Sequence, residues 1–174
     1  MTRKISVITG GHGGMGKAIA LELGKKTSVL LADMNEDKLN DVKSNLESLG
    51  IETFVKACDV TEKEQVRELA SYADSLGDVV NVIHTSGVSP TLCKAPQIIR
   101  VNASGTVNMT DAFASIIADG GVMVNFSSVA AYQLETQDEW IDIRRSAYRF
   151  PDGRVFQPYY SFTRRNYAVI VASD

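Results

Sequence analysis

The sequence has few of the residues that form the disulfides and metal sites of small or secreted proteins. Its 174 residues include 2 cysteines, Cys58 and Cys93, and 2 histidines, His12 and His84. Two distant cysteines make no disulfide framework, and none of these residues has the close spacing of a zinc-binding motif. We interpret the cysteines as half-buried free thiols in a reducing cytoplasm, and we expect no metal site.

A basic excess and long apolar runs are also missing. The apolar stretch after Arg3 and Lys4 breaks at Gly10, too early for a signal peptide, and no later run is long enough to cross a membrane. With 18 basic and 21 acidic residues, the chain has no charge excess that would favour nucleic acid or an anionic membrane. The 44% hydrophobic content argues against disorder. We therefore expect one cytoplasmic domain over residues 1–174, with neither nucleic acid nor membrane as a partner.

The segment Gly10–Gly16 is the most informative part of the sequence, because five of its seven residues are glycine. An apolar segment that predicts a strand precedes it, and a segment with helical periodicity follows it. Glycines let backbone N–H groups approach a pyrophosphate closely, while the N-terminus of the helix supplies partial positive charge. This segment is therefore predicted to be a phosphate-binding turn.

Strand and helix patterns alternate along the rest of the chain. The strands are near-continuous apolar runs, which is typical of a parallel sheet covered on both faces. They predict an α/β fold, a Rossmann-type doubly wound parallel sheet with flanking helices. After the first strand, further strands are predicted at Ser28–Asp33, Glu52–Ala57, Val79–His84 and Val122–Phe126. Helix ends are predicted at the caps Asn35 and the Thr61/Glu64 capping box, and at the glycines Gly50 and Gly120-Gly121.

Residues 132–157 interrupt this alternation with a cluster of charges. Leu134, Ile141 and Tyr148 are spaced like one face of a helix. The segment is predicted to be an excursion over the sheet edge, either a lid or a solvated surface helix.

Asp33 lies at the end of the second predicted strand, where a carboxylate can accept hydrogen bonds from the hydroxyls of an adenosine ribose. The same charge would repel a 2′-phosphate, and no basic residue lies among its immediate neighbours, so NAD is favoured over NADP. An ordinary helix-capping role is the alternative for this aspartate. The glycine run also matches a P-loop through Gly16 and Lys17, but Ala18 lacks the hydroxyl that would hold Mg²⁺.

The ordered motifs are Thr9-Gly10-x-x-x-Gly14-x-Gly16, Asp33, Asp59-Val60, Asn102-Ala103-Ser104-Gly105-Thr106 and Phe126-Ser127-Ser128. In this order and approximate spacing the chain resembles the short-chain dehydrogenases/reductases, over essentially its whole length to Ser128. The resemblance implies an NAD(P)-dependent oxidoreductase that acts on a small alcohol or carbonyl compound. A homodimer or homotetramer is the accompanying expectation. Expected cofactor contacts are Gly10, Gly11, His12, Gly14, Met15, Gly16, Asp33, Met34, Asp59, Val60, Thr85, Ser86, Gly87, Tyr160 and Arg164.

The resemblance also implies the catalytic residues. Ser128 would hold the substrate oxygen, and Asn102 would support a water and proton relay. Tyr160 would be the acid/base; a free tyrosine has a pKa of about 10, so it needs a nearby positive charge. Tyr160 and Arg164 form the one tyrosine-x-x-x-basic pair, and a helical turn would place them on one face.

Three features depart from the family pattern. Arg164 replaces a lysine, and a guanidinium does not readily release a proton. His84-Thr85-Ser86-Gly87 stands where the family has Asn-Asn-Ala-Gly, and we interpret His84 as a packed residue at a strand end. The interval from Ser128 to Tyr160 is long, as in hydroxysteroid dehydrogenases and carbonyl reductases with an insertion there.

The sequence ends at Asp174, within the helix predicted to hold Tyr160 and Arg164, whereas the family continues with a further strand and a substrate-binding loop. The sequence alone leaves two interpretations open. The chain is a truncated or fragmentary oxidoreductase, or it is a shortened NAD(P)-binding module or sensor without efficient turnover.

Overall fold

The computed structural model describes residues 2–89, 91–127, 142–149, 155–164 and 167–169, the last three ranges by their backbone. Residue contacts divide the chain into two compact units, Met1–Phe126 and Ser127–Asp174. That the whole chain folds as one domain stays a prediction.

The first unit alternates strands and helices, as the sequence pattern predicts. Its elements in chain order are β1 (Lys4–Thr9), α1 (Gly14–Leu23), β2 (Ser28–Asp33), α2 (Glu36–Ser48), β3 (Thr53–Ala57), α3 (Lys63–Leu76), β4 (Asp78–His84), α4 (Ala95–Ile98), a π-helical segment (Ile99–Ser104), α5 (Gly105–Phe113) and β5 (Ile117–Asn125).

The five strands form one parallel sheet in the order β3-β2-β1-β4-β5. The order reverses direction beside β1, because the chain adds β2 and β3 on one side and then returns to add β4 and β5 on the other. The connections that follow β1 and β4 therefore run to opposite faces of the sheet, and a crevice is expected beyond the carboxyl ends of these two strands. The predicted Rossmann-type sheet is confirmed.

Helices cover both faces of this sheet because side chains alternate along each strand. Val7 of β1 belongs to a core completed by Leu69 of α3 and Phe113 of α5. Ile8 belongs to the opposite core, which Leu39 of α2 completes together with α1. All five side chains are fully buried, and each contributes about 1.5–3 kcal/mol of burial free energy. The doubly wound arrangement is thus a consequence of strand alternation.

The predicted ends of α2 are confirmed. Oδ1 of Asn35 accepts a hydrogen bond from the N–H of Lys38 at 3.0 Å, which satisfies a donor of the first helical turn. Gly50 follows the helix with φ +79°, and its N–H donates to the carbonyl of Glu47 at 2.9 Å. A glycine adopts this left-handed conformation without a Cβ clash.

The predicted capping box of α3 is wrong. The helix begins at Lys63 with Glu62 at its N-cap, and no side chain caps it. The N–H of Thr61 instead donates to Oδ1 of Asp59 at 2.9 Å, so a local turn at the aspartate delays the start of the helix.

The predicted boundary between the next helix and β5 is also wrong. The helical region is broken into α4, the π-helical segment and α5, and β5 begins at Ile117 rather than Val122. The two glycines predicted to end the helix lie within the strand. The reason is an irregular register: Val79 pairs with Ile117, whereas Asn81 pairs with Val122. The extra residues of β5 bulge out, and Gly120 there has φ +77°.

The second unit contains a three-stranded antiparallel sheet of β6 (Asp142–Arg149), β7 (Val155–Arg164) and β8 (Tyr167–Val169). The surface helix proposed for the charged excursion is therefore wrong over residues 142–149. The helical turn predicted for Tyr160 and Arg164 is wrong too, since both lie on β7. That strand is rich in aromatic and β-branched residues and pairs on both sides, which overrides the helical spacing.

Candidate functional site

Polar residues and glycines gather where the strands of the first unit end. Because the sheet is parallel, the carboxyl ends of β1, β2, β3 and β4 lie along one edge. The residues that follow or end these strands are Gly10, Asp33, Asp59 and Thr85. The predicted cofactor contacts of the first unit therefore meet along one edge.

The glycine turn is closely packed at Gly16 and open at Gly14. Gly10 has φ +65°, and its carbonyl accepts the N–H of Gly13 at 2.9 Å. A Cβ on Gly16 would overlap that same carbonyl oxygen. A Cβ on Gly14 would meet nothing within 4 Å, so the space beside this residue is free. The turn thus presents open backbone at the N-terminus of α1, a helix without a side-chain cap.

The side of β1 that faces β4 is held by buried and half-buried hydrogen bonds. The hydroxyl of Thr9 lies 2.7 Å from Nδ1 of His84, and it accepts the N–H of Ser86 at 3.3 Å. Thr85 donates its hydroxyl to the carbonyl of Thr9 at 2.7 Å. Burial lowers the pKa of His84 to about 4, because the charged imidazolium would lose its hydration. His84 is therefore a packed strand-end residue, as predicted.

The side of β1 that faces β2 carries the contact between His12 and Asp33. Nδ1 of His12 lies 2.8 Å from Oδ2 of Asp33, although the pair lacks the alignment of a hydrogen bond. Oδ1 of Asp33 lies 3.4 Å from the N–H of Asn35. Since Asn35 caps α2, the alternative of Asp33 as the helix cap is excluded.

The loop after β3 is fixed by two amide side chains that sequence reasoning missed. The N–H of Asp59 donates to Oε1 of Gln65 at 2.9 Å. Nδ2 of Asn108 donates to the carbonyl of Val60 at 2.9 Å and to that of Thr61 at 3.3 Å. Gln65 comes six residues after the motif and Asn108 much later, so no local pattern links them to it. The conformation of this loop is thus fixed by side chains from α3 and α5.

Asn102 lies in the π-helical segment and fixes the loop after β4. Its Oδ1 accepts the N–H of Val88 at 2.9 Å, and its Nδ2 donates to the carbonyl of the same residue at 2.9 Å. Its own carbonyl accepts the hydroxyl of Thr106 at 2.8 Å. The amide therefore holds Val88, directly after Thr85–Gly87, and the part of Asn102 in a proton relay stays a prediction.

The remaining predicted site residues fall into two groups. Met15 and Met34 are exposed, at 53% and 70%, beside the glycine turn and Asp33. Ser128 lies outside the described residues, and Tyr160 and Arg164 belong to β7 of the second unit. The catalytic assignment of these last three stays a prediction.

Neither a cluster of metal-ligating side chains nor a membrane-spanning helix occurs among the described residues. No group of three or more His, Cys, Asp or Glu side chains is placed to hold a metal ion in this part of the chain. None of the helices described for this chain is long and apolar enough to cross a membrane.

Cys58 is free and buried. Burial is the largest cause that raises the pKa of its thiol to about 11, so the thiol stays protonated.

Comparison with known families gives one consistent result. Residues 4–138 match the family model described as short chain dehydrogenase. A short-chain dehydrogenase/reductase of Alternaria brassicicola, bsc3, is 32% identical over 124 residues, which is 71% of this chain and 45% of that protein. The chain thus spans about half the length of this curated relative.

Solved structures give the same fold with either nicotinamide cofactor. A short-chain dehydrogenase/reductase of Burkholderia phymatum in complex with NAD has a TM-score of 0.65 and 27% identity, covering 77% of this chain and 52% of that one. A metagenomic short-chain oxidoreductase in complex with NADP has a TM-score of 0.64 and 27% identity, covering 73% and 63%.

Proposed function

This chain belongs to the short-chain dehydrogenase family, and we propose that it binds NAD and interconverts a secondary alcohol and a ketone or aldehyde. The observation that carries the proposal is the placement of the open glycine turn against Asp33 at one edge of the sheet. A pyrophosphate would lie beside Gly14 and the N-terminus of α1, and the ribose would lie beside Asp33.

The fit of a dinucleotide depends on the space beside Gly14 and on the carboxylate of Asp33 at this edge of the sheet. No atom would contact a Cβ at Gly14, so backbone there is approachable, while Gly16 is needed for the turn itself. The carboxylate of Asp33 is 15% exposed and can accept ribose hydroxyls, and its charge disfavours a 2′-phosphate. Relatives are solved with NAD and with NADP, so the preference for NAD is a proposal for this chain.

The reaction is proposed to use the residues that the family resemblance assigns. When bound, the nicotinamide cofactor supplies or accepts the hydride at the substrate carbon. Ser128 holds the substrate oxygen, and Tyr160 exchanges the hydroxyl proton at its Oη. Arg164 is the positive charge that the resemblance assigns to Tyr160, in place of the family's lysine. Asn102 supports the path by which the proton reaches water.

A second candidate is a nucleotide-binding module without turnover, and the position of Tyr160 and Arg164 on β7 favours it. Four residues span about 13 Å along a strand but about 6 Å along a helix. An arginine this far along the strand has a weaker effect on a tyrosine than the helical arrangement would give.

Cofactor binding tests the first half of the proposal. NADH and NADPH are titrated against the protein by fluorescence, and saturable binding with a lower Kd for NADH is expected. Asp33→Asn should weaken NADH binding about tenfold, through loss of a charge-assisted hydrogen bond. The control Asp37→Asn removes the same charge from the exposed first turn of α2 and should change Kd by less than about twofold. Absence of saturable binding to either nucleotide refutes the proposal.

Turnover separates the enzyme from the module. Oxidation and reduction are measured across a panel of secondary alcohols, ketones and aldehydes with both cofactors. Tyr160→Phe should lower kcat at least about a hundredfold through loss of the acid/base, while Tyr159→Phe should not. Cofactor binding without turnover would favour the module, and full activity in Tyr160→Phe would refute the catalytic assignment.

Assembly as a homodimer or homotetramer is part of the proposal and is checked by analytical ultracentrifugation.

A further inference from the structure

His12 is placed where it alters the residue that selects the cofactor. Its ring belongs to the glycine turn, yet Nδ1 lies 2.8 Å from Oδ2 of Asp33 on the next strand. The side chains of His12 and Asp33 are only 33% and 15% exposed, so water screens the contact less than it would screen a surface pair. This contact crosses between two elements and is not a local turn interaction.

The carboxylate of Asp33 has its two oxygens near two different groups. Oδ2 faces His12, and Oδ1 lies 3.4 Å from the backbone N–H of Asn35. Two ribose hydroxyls would donate to these same oxygens. The ribose must therefore share Oδ2 with the imidazole or displace it.

The same contact weakens the repulsion that would exclude a 2′-phosphate. An imidazole that carries its proton on Nδ1 places a partial positive charge 2.8 Å from a carboxylate oxygen, which lowers the negative potential outside the pair even without hydrogen-bond alignment. A phosphate dianion near the pair thus meets less repulsion than it would meet from an uncovered carboxylate. The imidazole competes with the NAD ribose for Oδ2 of Asp33. It also reduces the electrostatic repulsion that the 2′-phosphate of NADP would meet.

We propose that His12 is a specificity-determining residue that acts through Asp33. It reduces the difference in affinity between NAD and NADP, so that the chain binds NADP as well. This inference rests on the proposed function, because it concerns the nucleotide of that same site. His12 is a positioning residue in this scheme, and no catalytic step depends on it.

The test compares ligands that differ only in the 2′-phosphate. Dissociation constants for NAD, NADP, 5′-AMP and 2′,5′-ADP are measured by calorimetry at one fixed pH, for the wild type and for His12→Ala. The variant should bind NAD and 5′-AMP more tightly and the 2′-phosphorylated ligands more weakly. The ratio of NADP to NAD dissociation constants should rise about tenfold. His12→Gln keeps a donor and should give an intermediate ratio.

A double-mutant cycle distinguishes this effect from a structural one. In the Asp33→Asn background, His12→Ala should leave the ratio unchanged, because the charge that His12 covers is gone. An unchanged or lower ratio in the single variant, or an equal effect in both backgrounds, overturns the inference while the proposed function stands. Failure of the wild type to bind any of the four ligands overturns the proposed function, and the inference with it.

Discussion

The two sides of β1 differ at the carboxyl edge of the sheet. Toward β4, the buried side chains of Thr9 and His84 are hydrogen-bonded, and the half-buried Ser86 donates its N–H to the same Thr9 hydroxyl. Toward β2, His12 and Asp33 make a partly exposed contact without hydrogen-bond alignment. Each side contains an imidazole, but only the buried one is fixed by a hydrogen bond among the residues described.

This difference indicates how the turn combines rigidity with access. Hydrogen bonds on the β4 side hold Thr9, which immediately precedes Gly10, so the direction of the turn is set there. The β2 side is left with polar atoms that a ligand can reach. Substitutions on the side of β1 that faces β4 should therefore lower the free energy of unfolding. Substitutions on the side that faces β2 should mainly change nucleotide binding.

The largest effect is expected for Gly16→Ala, because the new Cβ would overlap the carbonyl of Gly10. We expect the free energy of unfolding to fall by about 3 kcal/mol and nucleotide binding to be lost. Gly14→Ala is the matched control, since its Cβ would meet nothing within 4 Å. It should keep the stability of the wild type and still lose affinity, through contact with the pyrophosphate. Urea unfolding and calorimetry measure both; equal stability of the two variants would contradict the assigned packing.

Much of the glycine turn and of the β2 side of β1 could be predicted, because the sequence signals for them are local. The run of glycines between an apolar and a periodic segment indicates the turn, and Asp33 stands directly at the end of its strand. The side chain of Asn35 reaches an N–H only three residues away, so a cap can be identified from neighbouring residues alone.

The rest of the first unit depends on groups that lie far apart in sequence. Asn108 reaches Val60 across the fold, and His12 reaches Asp33 across a strand and a helix. No periodicity reports such contacts. Tyr160 and Arg164 show the same limit, since their spacing fits a helical turn as well as one face of a strand. Pairing of β7 with two neighbours decides between them.

The next largest effect is a pH dependence of the free energy of unfolding, which comes from His84 on the β4 side. The pKa of His84 is about 4 in the folded chain against an ordinary value of 6.5. Between these pH values the unfolded chain binds more protons than the folded chain. The His84 contribution to stability is therefore complete above pH 6.5 and is lost as pH falls toward 4, by about 3 kcal/mol in total.

Urea unfolding at several pH values between 4 and 7 checks this prediction. His84→Asn removes the titrating group, places the family's residue at this position and should flatten the profile. His12→Asn is the control from the other side of β1 and should keep the His84 contribution. Coinciding profiles for the wild type and His84→Asn would show that the buried imidazole does not control acid stability.

The smallest effect comes from paired single substitutions on the two sides. Thr9→Val removes the hydroxyl that bonds to His84 and Ser86, so the free energy of unfolding should fall by about 1.5 kcal/mol. NADH affinity should stay within about twofold, because no ligand group is expected at a buried hydroxyl. Asp33→Asn should do the reverse, keeping stability within about 0.5 kcal/mol while weakening NADH binding. If Thr9→Val weakens NADH as much as Asp33→Asn does, the two sides are not separable, since the buried bonds then control ligand access as well as the fold.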